Sequence, residues 1–411
     1  MSIEALVSLS RYYGSRPEYV VAGGGNTSFK DASRLFIKSS GIALAGICAG
    51  DFVQMDRAAL SQIGERSYPL DAAEREAAVL ADLLAARTAG EAAKRPSVET
   101  LVHDLLPFAY VVHTHPALVN GLTCSCSGEE SARTLFGDRV LWIPWIHPGY
   151  ALAQGVKKAL SVYRAAKGPP PAILLLQNHG VFVGADSAEG IHAAYQALMD
   201  TLRACIREEP DPGEPVSSYG ASGDIAGVLR ELARKTAPPG SASFQVCFER
   251  NPIIRRFVRD APSFAPLASP LTPDHIVYAG SDPLFIPVQP QAGPDWVAHL
   301  QEAWEQHLDK TGRLPKIAAV QGLGIFGIGT GEKAARRALE LFKDALKVTV
   351  YAQAFGGVCG MCRDGIHFIS TWEVEQYRSR VADIPREKHA EEQGGLCHEV
   401  VSAYPGAGTS L

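Results

Sequence analysis

No stretch of this 411-residue sequence stays apolar for the ~20 residues that a membrane-spanning helix needs, so a helical membrane protein is not expected. Nor does any basic block interrupt it. The chain has 39 Lys and Arg against 44 Asp and Glu, a formal net charge of −5, and nucleic acid is not expected as a partner. The opening residues, MSIEALVSLSRYYGS, carry an early glutamate and no apolar run of signal-peptide length. Cysteine is sparse: eight residues are scattered through a chain large enough to fold without cross-links, which suits a reducing cytoplasm. No internal repeat is evident. A cytoplasmic protein is expected.

What is present is ordinary globular composition, 46% hydrophobic and 20% charged. The length exceeds what one comfortable core requires, so two domains are expected. The seam is Glu208 to Asp224, EEPDPGEPVSSYGASGD, rich in Pro, Gly, Ser and acids and without an apolar period. It divides the chain into a first domain at 1–208, a linker at 209–222, a second domain at 223–395 and a tail at 396–411.

In the first domain, Tyr19–Ala22 and Leu35–Ile37 read as short strands separated by a glycine-rich turn. Helices are predicted over Asp71–Arg87, Val98–Leu106, Tyr150–Ala166 and Ser187–Arg207, the last opened by Asp186 with Glu189 three residues on. Ala109–His113 and Ala172–Gln177 read as buried strands. In the second domain, helices are predicted over Asp224–Lys235, Asp295–Lys310 and Lys333–Leu346, and strands over Ile317–Val320 and Val348–Tyr351. The alternation is irregular, which favours a mixed sheet with helices on its faces.

His113-Thr114-His115 follows the apolar run AYVV. Residues two apart on a strand point the same way, so both imidazoles can converge on one ion. A third ligand must come from elsewhere, and His179 in LLLQNHG sits where a second buried strand meets a glycine. Glu99, in RPSVETLVH, has two readings at this point. It is a first-turn acid favoured by the helix dipole, or a functional carboxylate, since the capping-box position after Ser97 is Thr100. The loop GGGNTS, Gly23 to Ser28, leads into an extended segment and not a helix, so it is no P-loop. It can still form a nest of N–H groups for phosphate. Lys38-Ser39-Ser40-Gly41 adds hydroxyls and a cation at a similar strand end.

GGGNTSFK, IKSSG, PSVETLVH, HTHP and NHG, in that order over residues 20 to 200, resemble the class II aldolase/adducin family. The likeness continues through FGDRVLWIPWIHPGY, SPLTPDHIVYAG, VQGLGIFGIG and STWEVEQY. There it is similar to the aldolase portion of bifunctional rhamnulose-1-phosphate aldolase/alcohol dehydrogenase proteins, without the dehydrogenase domain. The resemblance implies a three-layer α/β first domain with a central mixed or antiparallel sheet, and a smaller α/β second domain. It implies one Zn²⁺ per chain on His113, His115 and His179 (another divalent metal being possible), with Glu99 as the acid/base. It also implies a phosphate cradle of Asn26, Ser40, Gly41 and Ser97. The expected reaction cleaves or forms a C–C bond in a ketose phosphate through a metal-stabilised enediolate. The expected assembly is a homo-oligomer, a tetramer. Epimerisation, sugar-acid phosphate decarboxylation and a non-catalytic adducin-like interaction module are the alternatives. Lys38-Ser39 departs from the family's threonine-proline pair. The tyrosine acid that a neighbouring subunit supplies in the family is matched to none of the 13 tyrosines.

Three features are set aside. Gly322 to Gly327 matches GxGxxG after a strand, but the expected next strand, Lys347 to Gln353, ends without an acid for a ribose, so no nicotinamide cofactor is expected. Cys359 and Cys362 form a lone CxxC whose only further ligands would be Cys397 and His398. His147 and His192 are read as structural.

Overall fold

A computed structural model describes residues 2–210, 213–238, 243–287 and 296–373. The expected tail at 396–411 and the end of the expected second domain lie outside the described residues. Seven strands form the first sheet: β1 (Asn26–Lys30), β2 (Arg34–Lys38), β3 (Phe52–Asp56), β4 (Tyr110–Thr114), β5 (Val140–Ile143), β6 (Ile173–Leu176) and β7 (Gly180–Ala185). Their order is β3-β2-β1-β4-β7-β6-β5, and only β5 and β6 run parallel. Helices cover both faces. One face packs Tyr110, Val112, Val181 and Val183 against the helices Ile3–Gly14 and Ala188–Arg203. The other packs Val111, Leu174, Leu176 and Phe182 against Ala72–Ala85 and Tyr150–Lys167. Alternation along β4 therefore feeds two cores, which is why AYVV reads as a continuous apolar run.

A second sheet contains β8 (Gln245–Glu249), β9 (Leu284–Ile286), β10 (Ile317–Val320) and β11 (Gly324–Gly329), in the order β8-β11-β10-β9. Here the structure corrects the reading that no repeat exists. β4, β5, β6 and β7 are ordered β4-β7-β6-β5, with antiparallel, antiparallel and parallel pairings. β8 to β11 reproduce that order and those senses. A helix precedes β6 (Tyr150–Lys167) and one precedes β10 (Trp296–Thr311). A helix follows β7 (Ala188–Arg203) and one follows β11 (Glu332–Ala352).

Other expectations are also corrected. Tyr19–Ala22 is not a strand; the strand is β1, inside what read as a polar loop. Its polar residues are buried because each has a partner: Thr27 Oγ1 lies 2.6 Å from Ser10 Oγ, and Ser28 Oγ lies 2.7 Å from His103 Nδ1. Val348–Tyr351 is not a strand either. It ends the 21-residue helix Glu332–Ala352, where Val348, Thr349 and Val350 are buried, so packing overrides the β-branched preference. That helix meets Ala117–Thr123 so closely that a Cβ on Gly121 would stand 2.4 Å from Tyr351 Cβ. The capping residue of Ala188–Arg203 is Ser187, accepting from Gly190 N, while Asp186 instead accepts from Ala109 N. Among the described residues, no helix is long and apolar enough to cross a membrane.

Candidate metal centre

The central strand β4 carries His113, flanked by Asn26 on β1 and Phe182 on β7. His113 is fully buried and stacks on Phe182 with centroids 4.0 Å apart. His115 follows just past the strand. His179 closes the three-residue turn between β6 and β7, where Asn178 takes a left-handed φ of 52° that asparagine tolerates. Asn178 Nδ2 then donates to the carbonyls of Leu271 (3.1 Å) and Cys359 (2.9 Å), so the second domain grips the turn that bears His179.

The three histidines converge, each offering one nitrogen, and these nitrogens lie within 4.8 Å of one another. Their tautomers follow from their partners. His113 Nδ1 is 2.9 Å from Val181 O, which can only accept, so Nδ1 carries the proton. His115 Nδ1 donates to Asp274 Oδ2 at 2.6 Å. In the neutral rings each Nε2 is then a lone pair, and the two stand 2.9 Å apart. Two facing lone pairs repel, and a cation between them resolves the contact. Tetrahedral zinc with Zn–N of about 2.0–2.1 Å spaces its nitrogens by roughly 3.3 Å, so the donor set fits a divalent ion. Burial pushes the His179 imidazole down to about 3, against the neighbouring Glu99 carboxylate, so this ring too is a neutral donor.

Glu99 stands at the start of the helix Thr100–Leu105 but makes no side-chain capping bond. It turns inward instead: Oε2 is 3.3 Å from His113 Nε2, and Oε1 is 3.5 Å from His179 Nε2. Oε2 accepts from Asn26 Nδ2 at 2.7 Å, whereas Oε1 is buried with no hydrogen-bond partner. Asn26 is itself fixed. Its Oδ1 accepts from His103 Nε2, and His103 Nδ1 accepts from Ser28 Oγ. Burial holds His103 well below the ordinary histidine range, so this relay stays uncharged. Lys30 Nζ donates to His103 O at 2.5 Å, and burial pushes this lysine down to about 7.

The pocket that contains Glu99, His115 and His179 is also lined by Asn26, Lys38, Ser40, Gly41 and Ser97, with Pro273 from the second domain. Lys38 Nζ donates to Ile42 O at 2.7 Å. A wider groove near Phe29, Arg57 and Phe108 holds none of the three histidines, and its residues offer no comparable donor set.

His103 and Asp274 are the additional residues at this centre. His103 lies four residues after Glu99, one helical turn on, and that spacing could have flagged it. Asp274 is 159 residues from His115, and nothing local announces it. The residues set aside lie elsewhere. His147 pairs with Asp364 at 2.9 Å, and His192 Nδ1 meets Tyr13 Oη at 3.0 Å. The GxGxxG stretch is the β10–β11 hairpin, and Lys347–Gln353, expected as a strand, is helical through Ala352. The glycines therefore open no helix, and the expected strand–turn–strand argument about a ribose acid is replaced by that geometry.

Residues 4–205 match a family model described as Class II Aldolase and Adducin N-terminal domain, and residues 221–378 match one described as Aldolase class II, second domain. A curated relative, the uncharacterized oxidoreductase YuxG of Bacillus subtilis (strain 168), is 21% identical over 416 residues. The match covers 92% of this chain and 58% of the relative, so the chain spans well under two thirds of that protein. Among solved structures, the N-terminal class II aldolase domain of a conserved Thermoplasma acidophilum protein is 25% identical with a TM-score of 0.42. It covers 50% of this chain and 93% of that chain. An L-fuculose-1-phosphate aldolase from Thermus thermophilus is 17% identical with a TM-score of 0.31, covering 49% and 89% respectively.

Proposed function

With a class II aldolase and adducin domain followed by a second class II aldolase domain, the chain belongs to the class II aldolase family, and we propose that it cleaves or forms a carbon–carbon bond in a ketose phosphate. The observation that carries this reading is the Glu99 carboxylate. One of its oxygens is held by Asn26, and the other has no hydrogen-bond partner and faces three histidines whose ring nitrogens converge. We take the ion to be zinc, one per chain, on His113, His115 and His179. When bound, it would supply Lewis acidity that polarises a substrate carbonyl and stabilises the negative charge developing on its oxygen.

The protein's own residues account for the rest. Cleavage breaks the carbon–carbon bond as the hydroxyl on the departing carbon gives up its proton to solvent and becomes an aldehyde. The bonding pair stays on the carbon next to the carbonyl. Protonated Glu99 delivers its proton to that carbon, and in the synthetic direction the carboxylate removes it. Asn26 fixes the carboxylate's orientation, and the His103–Ser28 relay fixes Asn26. Ser40, Gly41 and Ser97 line the same pocket with Asn26, and Lys38 adds a cation, a set that suits a phosphate and orients the substrate's far end. We place the enzyme in the cytoplasm as a homo-oligomer, a tetramer.

The test is Glu99→Gln, which keeps shape but cannot carry the proton. Turnover on candidate ketose phosphates should fall by ~10²–10⁴-fold with zinc retained and substrate affinity nearly unchanged. Near-parental turnover in a zinc-loaded variant overturns the role of Glu99. An epimer or carbon dioxide as product, in place of two carbonyl fragments, overturns the reaction.

A further inference from the structure

The second domain repeats the strand order of the first, and the register aligns the two residue by residue. Gln177-Asn178-His179-Gly180 turns between β6 and β7, and Gln321-Gly322-Leu323-Gly324 turns between β10 and β11. Asn178 and Gly322, at the same position, both take left-handed φ, 52° and 70°. His113 faces Phe182 across β7 as Phe248 faces Phe326 across β11. The three ligand positions of the first domain, His113, His115 and His179, thus correspond to Phe248, Arg250 and Leu323. These are side chains that hold no metal.

What the second domain does hold is the back of the first domain's site. Asp274 Oδ2 meets His115 Nδ1 at 2.6 Å, with both groups buried. The carboxylate passes so close to the glycine-rich loop that a Cβ on Gly24 would lie 2.7 Å from Asp274 Oδ2 and 3.3 Å from His115 Nδ1. Asp274 immediately precedes the π-helical turn His275–Ala279, a rare form that concentrates at functional sites. That turn is pinned to the helix Glu332–Ala352 by His275 Nε2, 3.1 Å from Asp344 Oδ2. Three residues upstream, Leu271 O takes the amide of Asn178 beside His179.

We infer that the second domain is a diverged copy of the catalytic fold that has lost its own ligands and serves the first copy, with Asp274 as the positioning residue that fixes the tautomer and orientation of His115. A carboxylate on the far nitrogen of a ligating imidazole raises its basicity and holds the ring in place, and losing one typically costs 10–100-fold in metal affinity. This rests on the aldolase reading only in requiring that the histidines bind metal.

The experiment measures zinc affinity by chelator competition, and the visible spectrum of the cobalt(II)-loaded protein, for the parent, Asp274→Ala, Asp274→Asn, Gly24→Ala and His179→Ala. We expect Asp274→Ala to weaken zinc 10–100-fold and alter the cobalt spectrum. Asp274→Asn, which still accepts a hydrogen bond, should lose less. Gly24→Ala, pressing on the same contact with Asp274 intact, should shift both readouts in the same direction. If His179→Ala abolishes binding while Asp274→Ala and Asp274→Asn match the parent in affinity and spectrum, the inference is overturned and the metal centre stands. If the parent binds no divalent metal, both fall together. Should Asp274→Ala not fold, the isosteric Asp274→Asn and Gly24→Ala decide by the same two readouts.

Discussion

The β6–β7 and β10–β11 hairpins have the same turn length, the same pairing and the same left-handed second turn residue, but one presents His179 and the other Leu323. Around the first turn lies a buried polar relay, Ser28–His103–Asn26–Glu99; around the second, Phe248 packs on Phe326 with centroids 4.9 Å apart. The backbone is therefore indifferent to the chemistry it carries, and the site resides in a few side chains and their supports. In the second copy Phe248 packs in the core, while Arg250 donates to the carbonyls of Gly322 and Leu323 in the turn.

The largest test of that contrast exchanges side chains at the matched turn position. His179→Ala should remove bound zinc and reduce aldol turnover to the metal-free background. Leu323→Ala, half-buried in the other hairpin, should leave zinc content unchanged and cost about 1 kcal/mol of stability. Elemental analysis and melting curves on the same preparations separate the outcomes. Zinc lost in both variants, or in neither, would break the comparison.

A smaller effect is expected one residue on. A Cβ on Gly180 would lie 2.6 Å from Thr114 O and 2.6 Å from His115 Cδ2, and one on Gly324 would lie 2.7 Å from Glu249 O and 2.6 Å from Phe248 Cε2. Alanine at either position forces the neighbouring strand aside, at about 1–3 kcal/mol. Only Gly180→Ala should also weaken zinc, because only there does the displaced ring belong to a proposed ligand. Equal stability losses with unequal zinc affinities are the result to look for in denaturant titrations and chelator competition.

The histidines were legible because a strand's period of two puts His113 and His115 on one side whatever the rest of the fold does. His179 was legible because an apolar run ending in a glycine marks a strand end. Glu99 was ambiguous, since a helix-end acid and a site carboxylate look alike until the side chain's direction is known. β1 was hidden because its buried residues are polar, and their partners Ser10, His103 and Glu99 are distant in sequence. Val348–Tyr351 was misread because buried packing against the Ala117–Thr123 helix outweighs local preference. The repeat escaped notice because the two hairpins share little beyond Gln, Gly and Phe, while their hydrogen-bond registers coincide. Asp274 carries no local signal at all.

The smallest effect concerns how the two copies start their last helix. Ser187 and Gly331 each stand ten residues after the first turn residue of their hairpin, Gln177 and Gln321, and each caps the helix that follows. Ser187 takes extended backbone and its side chain accepts from Gly190 N at 3.1 Å, whereas Gly331 has a φ of 108° and no side-chain cap. Ser187→Ala should therefore cost about 1 kcal/mol. Gly331→Ser looks like a repair, since it supplies a capping hydroxyl, and no atom lies within 4 Å of the new Cβ. The backbone decides otherwise: serine strongly disfavours that φ, so the variant should lose about 1 kcal/mol or more instead of gaining. Urea midpoints at constant slope measure both. A stabilised Gly331→Ser protein would mean that the second copy can adopt the first copy's extended cap, and that the two helix starts differ in side chain alone.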